Sequence, residues 1–86
     1  MRLEGELSLK TVPLRLAEAD AIVAAGQLDL SGISQADSAG LAFLLELTRR
    51  ARAAGTPLRL LNPPPQLASL VHFFDLDTML SLPGTP

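Results

Sequence analysis

The fold is decided by one stretch of the sequence, Leu28–Leu41, which reads LDLSGISQADSAGL. Its apolar beginning, together with the preceding residue, predicts a short buried strand at Gln27–Leu30. The polar residues that follow predict a loop. Asp37 and Ser38 are of the types that cap helices, so they predict the start of the next helix.

Residues 37–54 carry the clearest helical pattern in the chain, which ends at Gly55. The stripe expected to face the core is Leu41, Leu44, Leu45, Thr48 and Ala51. A helical wheel then places the following residues on the outer face: Ala39, Ala42, Phe43, Glu46, Arg50 and Ala53. An exposed Phe43 among alanines forms a flat apolar surface that suits a partner protein. It is equally consistent with one stray apolar residue, which is common on protein surfaces.

The rest of the chain alternates between strand and helix patterns. Arg2–Leu9 has a period of two, which predicts a strand with Leu3, Gly5, Leu7 and Leu9 on one face. Residues 11–25 predict a helix that ends at Gly26, with Leu14, Ala17, Ala21 and Ala25 at helical spacing and Ile22 beside them. A strand at residues 58–61 and a helix after three prolines complete the series, and that helix buries Leu67, Leu70, Val71 and Phe74.

The order β-α-β-α-β-α predicts parallel strands joined by right-handed crossovers. We therefore expect an α/β fold, a small sheet of parallel β-α-β units with helices packed on it. The 86 residues are enough for one domain. We expect that domain to span residues 1–80 and to be followed by a flexible tail, residues 81–86.

Composition excludes several classes of function. Seven basic and nine acidic residues give a net charge of −2, and Trp and Tyr are absent, which argues against nucleic-acid binding. The chain has no Cys, so thiol nucleophiles and Cys-based metal sites are excluded. Residues 1–6 lack the apolar core of a signal peptide, and no apolar run is long enough to span a membrane. We expect a cytoplasmic protein.

Catalytic and metal-binding patterns are weak. His72 is the single histidine, so it has no second histidine with which to bind a metal. Asp75 and Asp77 form a carboxylate pair of a kind that is frequent near helix ends. No glycine-rich phosphate loop occurs, and nothing assembles a nucleophile, a base and an oxyanion site. We expect no enzyme activity, no cofactor and no metal.

Asp37, Ser38 and Gly40 each allow two interpretations. Asp37 or Ser38 can simply cap the helix, and a hydroxyl at a helix start can also carry a phosphate. Gly40 in the first turn of a helix costs up to about 1 kcal/mol relative to alanine. It indicates either close packing of the helix within the fold or close approach of a partner, and the sequence does not separate the two.

The motif Asp37-Ser38-Ala39-Gly40-Leu41, after an apolar strand and a polar turn, resembles the STAS family of sulfate-transporter and anti-sigma-factor-antagonist domains. Gly5-Glu6-Leu7 is similar to the family's early strand, and Pro57–Leu60 to its later one. Leu67–Leu76 is similar to its last helix. The resemblance implies a non-catalytic protein that works by binding partner proteins.

Two branches of the family are similar to this chain. In the B subunit of the Mla phospholipid ABC transporter, which serves outer-membrane lipid asymmetry, a stand-alone STAS domain binds the ATPase. The transporter branch is favoured because antagonists more often carry a second Ser or Thr at the position of Ala39. By this resemblance the surface that binds the ATPase comprises Ser38, Ala39, Ala42, Phe43 and Glu46, and the protein is peripheral to the inner membrane only through its partner. In the anti-sigma-factor antagonists, a partner kinase phosphorylates the residue that matches Ser38. Asp37 is then the helix cap.

The chain departs from the family at its beginning. It starts almost at the Gly5-Glu6-Leu7 strand, whereas most members have a strand before it. Either the first strand of the family is missing or the start codon is misassigned. An unpaired sheet edge is a liability, and formation of a homodimer is one way to cover it.

Overall fold

The computed structural model describes residues 1–73, which form a three-stranded parallel sheet flanked by helices. The elements follow in the order β1 (Arg2–Leu7), α1 (Val12–Arg15), a 3₁₀ turn (Leu16–Glu18), α2 (Ala19–Ala25), β2 (Gln27–Ala36), α3 (Ser38–Ala53), β3 (Arg59–Leu61) and α4 (Pro65–Phe73). β2 lies between β1 and β3 and is parallel to both. This confirms the predicted α/β class. The expectations for Phe74, for Asp75 and Asp77, for the domain end and for the tail lie outside the described residues.

The central strand β2 is longer than the sequence predicts, because residues 31–36 continue it and form no loop. Its buried side chains are Leu28, Leu30, Ile33 and Ala36. The alternation breaks after Leu30 because the register with β1 shifts. Arg2 and Glu4 of β1, two residues apart, pair with Asp29 and Gly32 of β2, three residues apart. A second shift follows at Gly5 and Glu6, which are adjacent but pair with Ile33 and Gln35, two residues apart. Each shift adds one residue to β2 relative to β1 and so interrupts the period of two that marks a strand.

The helix expected over residues 11–25 is divided into α1, the 3₁₀ turn and α2, and α2 ends at Gly26 as predicted. Its buried residues are Ala19, Ile22 and Val23, and not the expected stripe, of which Leu14 is 75% exposed. Ala17, Ala21 and Ala25 are exposed as well. The 3₁₀ turn has about three residues per turn, so the helical phase before it does not continue after it.

α3 lies at the centre of the helical layer, where it contacts α1, α2, α4 and β2. Because it has neighbours on several sides, a wide arc of it is buried: Gly40, Leu41, Phe43, Leu44, Leu47 and Ala51. Phe43 is only 2% exposed, so its expected place on the outer face is wrong. Leu45 and Thr48, assigned to the core from the sequence, are only half-buried.

The buried side chains of the sheet and the helices form one hydrophobic core. In α4, Leu67 and Val71 are fully buried and Leu70 packs at the margin of the core. The turn before α4 is fixed by Asn62, whose φ is 53°. Over residues 1–73, no helix combines the length and the apolar character needed to cross a membrane.

Candidate docking site at the start of α3

Asp37 is the N-cap residue of α3 and also holds the turn that follows β1. Its Oδ1 accepts hydrogen bonds from the backbone N–H groups of Ala39 (2.9 Å) and Gly40 (3.1 Å). Its Oδ2 accepts one from the backbone N–H of Leu9 (3.1 Å). These bonds, first that from Leu9 and then that from Gly40, lower the pKa of the Asp37 carboxyl below its ordinary value. Asp37 therefore has a structural role, and it fixes the position of Leu9 relative to the start of α3.

Gly40 marks the closest approach of α3 to β1. A Cβ at this position would lie 2.2 Å from the backbone oxygen of Leu7 and 3.0 Å from its carbonyl carbon. The same Leu7 oxygen accepts a hydrogen bond from the backbone N–H of Asp37 (3.2 Å). Packing within the fold is thus sufficient to explain the glycine, and no approaching partner is needed to explain it.

The structure brings some of the sequence-predicted contact residues to the surface and buries another. Ser38 and Ala42 are exposed, Ala39 and Glu46 are half-buried, and Phe43 is in the core. Because Phe43 is buried, α3 is rotated about its own axis relative to the orientation expected from the sequence. Ser38 and Ala42 now share a side with Leu45 and Arg49.

The outer face of α3 is defined here by Ser38, Ala42, Leu45 and Arg49, at positions i, i+4, i+7 and i+11. A pocket of about 130 Å³ adjoins the far half of this face and is lined by Leu45, Thr48, Arg49 and Arg52. Sequence reasoning missed Leu45 and Arg49. Helical spacing from Ser38, had it been used as the starting point, would have found both.

A charged cluster borders this face. The Glu46 carboxylate accepts two hydrogen bonds from Arg49, both 2.8 Å long, and one from Arg50 of 2.7 Å. Arg50 also pairs with Asp20 of α2 at 3.3 Å. Arg49, and then Arg50, lower the pKa of Glu46 to about 2. Glu46 is thereby held in one orientation beside the outer face.

An open cleft of about 510 Å³ lies on the other side of the α3 start, outside the carboxyl ends of β1 and β2. It is lined by the end of β1, the turn at Ser8–Lys10, the end of β2 and Gln66 of α4. Gln66 Oε1 accepts a hydrogen bond from the Ala36 backbone N–H at 3.1 Å, which joins α4 to this end of the sheet. Leu9, 76% exposed, stands at the rim.

The polar groups at the start of α3 are the Ser38 hydroxyl, at the first position of the helix, and the neighbouring Asp37 carboxylate, which hydrogen bonds hold in place. In the described part of the chain, no group of three or more His, Cys, Asp or Glu residues could hold a metal ion. His72, the single histidine, is an exposed residue of α4.

The chain belongs to the STAS family, since the family model described as "Mlab, STAS domain" matches residues 1–82. It is also similar to a solved structure, that of the anti-sigma factor antagonist SpoIIAA in its unphosphorylated form. That similarity has a TM-score of 0.64 and 27% sequence identity, and it covers 84% of this chain and 70% of the other. The STAS domain and the anti-sigma-factor-antagonist fold are non-enzymatic families. A comparison with curated protein sequences finds no significant match.

Proposed function

We propose that this protein is an accessory subunit that binds the ATPase of a phospholipid ABC transporter in the cytoplasm and supports the assembly or activity of the transporter. The observation that carries the proposal is the small, exposed surface at the start of α3, in a chain whose family model is described as a Mlab STAS domain. Its association with the inner membrane is then indirect, through the ATPase.

The composition of the outer face supports docking over catalysis. Ser38 and Ala42 are small, so a partner helix or loop can approach the α3 backbone closely. Leu45 supplies a half-buried apolar contact, and Arg49 supplies a charge at the far end. An apolar centre with a charged margin is typical of protein–protein interfaces.

The position of Ser38 supports a direct contact. The N–H groups of Ala39 and Gly40 already donate to Asp37, so the Ser38 hydroxyl is not required for capping. Its exposed side chain is left to face a partner. A negative charge on residue 38 would stand next to the Asp37 carboxylate and would change the charge of the surface that the partner meets.

The test is co-purification of the tagged chain with its cognate ATPase subunit. Ala42→Glu and Ser38→Glu should each abolish capture of the ATPase. The matched control is Ala21→Glu, which places the same charge on an exposed alanine of a different helix, α2. If Ala42→Glu and Ser38→Glu retain the ATPase as well as Ala21→Glu does, the assignment of this surface fails.

A second candidate function is that of an anti-sigma-factor antagonist switched by phosphorylation of Ser38. It is supported by the similarity to SpoIIAA, whose structure is described as the unphosphorylated form, and by the exposure of Ser38. The partner would then be an anti-sigma factor with kinase activity. A phosphate adds about two negative charges at pH 7 and, beside Asp37, would disfavour an acidic partner surface.

One measurement distinguishes the two candidate functions. Mass spectrometry after incubation with the cognate anti-sigma kinase should show one added phosphate on the wild-type chain and none on Ser38→Ala if the second function is correct. A wild-type chain that stays unmodified, and that captures the transporter ATPase, supports the first function and excludes the second.

A further inference from the structure

The outer edge of β1 carries backbone groups that would normally pair with another strand. Met1 O and Leu7 O accept hydrogen bonds from the N–H groups of Asp29 (2.8 Å) and Asp37 (3.2 Å), so these carbonyls face β2. Successive carbonyls of a strand point to opposite sides. The carbonyls of Glu4 and Glu6 therefore point away from the sheet.

By the same alternation the Arg2 carbonyl also faces outward, and two of these three carbonyls, those of Glu4 and Glu6, are occupied by side chains from the segment that follows β1. Arg15 Nη2 donates to Glu4 O, and Thr11 Oγ1 donates to Glu6 O at 2.8 Å. Thr11 is itself held in place, because its Oγ1 accepts from the backbone N–H of Ser8 at 3.0 Å. The Arg15 side chain is mostly covered and lies 3.8 Å from the carboxylate of Glu18.

We infer that Arg15 and Thr11 close the β1 edge and keep it from pairing with the β1 strand of a second copy of this chain. An added strand would have to displace both side chains, and it would also meet the exposed charges of Arg2 and Glu4, which pair with each other at 2.6 Å. Unpaired edge strands tend to recruit further strands, and capping their acceptors removes part of that tendency. The edge is covered from within the chain, so a homodimer is not needed for that purpose.

The test is the oligomeric state in solution, measured by analytical ultracentrifugation over a wide concentration range. The wild-type chain should sediment as a monomer of 9.1 kDa. Thr11→Ala/Arg15→Ala should shift to dimers or larger species at concentrations at least tenfold lower than any at which the wild type associates. Thr11→Ser/Arg15→Lys, which retains a donor at each position, should remain monomeric. Arg52→Ala, which removes an exposed arginine from α3, controls for the loss of positive charge.

The following outcomes distinguish loss of protection at the β1 edge from unfolding of the variant. If the double alanine variant loses its cooperative thermal transition, Thr11→Ala and Arg15→Ala are measured singly, because each leaves one carbonyl capped. Folded variants that stay monomeric overturn the inference. A wild-type dimer in which hydrogen exchange shows protection of the outward-facing amides of Glu4 and Glu6 overturns it too.

Discussion

The α-carbon of Gly40 lies so close to the end of β1 that a methyl group on it would stand 2.2 Å from the backbone oxygen of Leu7. The obstacle is main chain, which cannot move aside as the end of a flexible side chain can. The same Leu7 oxygen accepts the backbone N–H of Asp37. This contact sets the distance between α3 and β1, and with it the position of Ser38 relative to the turn at Leu9.

Gly40→Ala should therefore destabilise the protein, although alanine is the better helix former. The gain in helix propensity is at most about 1 kcal/mol, whereas forcing a group into a packed site costs about 1–3 kcal/mol. We expect a net loss in the free energy of unfolding, measured by urea denaturation. Ala42→Ser, which adds one atom on the exposed side of α3, should change it little. A Gly40→Ala variant that is more stable than the wild type would contradict the close contact.

Asp37→Asn tests the cap through its dependence on pH. The folded-state pKa of Asp37 is below the ordinary 3.8, so its contribution to stability is present above pH 3.8 and is lost as the pH falls through the folded pKa. Between pH 7 and pH 2, the midpoint of thermal unfolding should fall more steeply for the wild type than for Asp37→Asn. This difference in steepness should be confined to the range below about pH 4, where the stabilisation by the Asp37 charge is lost. Parallel curves for the two proteins would show that the Asp37 charge contributes nothing.

The features that could be predicted from the sequence are those encoded locally. Asp37 has the chemistry of a cap, Gly26 ends α2 with φ 76°, and alternating strand and helix patterns indicate a parallel sheet. The sequence predicts too short a β2 because shifts in register interrupt its alternation, and these shifts arise from pairing with β1, which is remote in sequence. Local patterns do not contain that information.

The side of α3 that faces the core could not be predicted, for a related reason. Apolar residues lie on most sides of this helix, so a stripe through Leu45 fits the sequence as well as one through Leu47. The packing of four other elements around α3 selects the second, and it buries Phe43 and leaves Leu45 half-buried at the margin of the core. For the candidate site, the identities of Asp37 and Ser38 were therefore predictable, whereas the face they share with Leu45 and Arg49 was not.

Glu46 should titrate far below an ordinary glutamate. Its pKa of about 2 results from the hydrogen bonds of Arg49 and then Arg50. NMR titration of the Glu46 side-chain carboxyl carbon should find this low value in the wild type. Arg49→Ala and Arg50→Ala should each raise it, and the double variant should bring it close to 4.5. Arg52→Ala, which removes another cation from the same helix, should raise it much less.

The same shift predicts a small effect on stability. A lowered folded-state pKa means that the contribution is present above pH 4.5 and disappears as the pH falls toward 2. The cluster is partly exposed, so solvent screening keeps that contribution modest. A wild-type Glu46 pKa near 4.5 would show that the cluster does not persist in solution.

Phe43→Ala distinguishes the observed rotation of α3 from the one expected from the sequence. With Phe43 buried at 2% exposure, truncation should cost about 3–5 kcal/mol in the free energy of unfolding, a large part of the roughly 5–15 kcal/mol typical of a small domain. An exposed Phe43 would instead leave stability within about 0.5 kcal/mol of the wild type. Leu45→Ala, in the same helix but half-buried, is the matched control and should cost clearly less than Phe43→Ala. For the same reason, Phe43→Glu is unsuitable for mapping the partner surface, because it would place a charge in the core and unfold the domain whether or not a partner binds there.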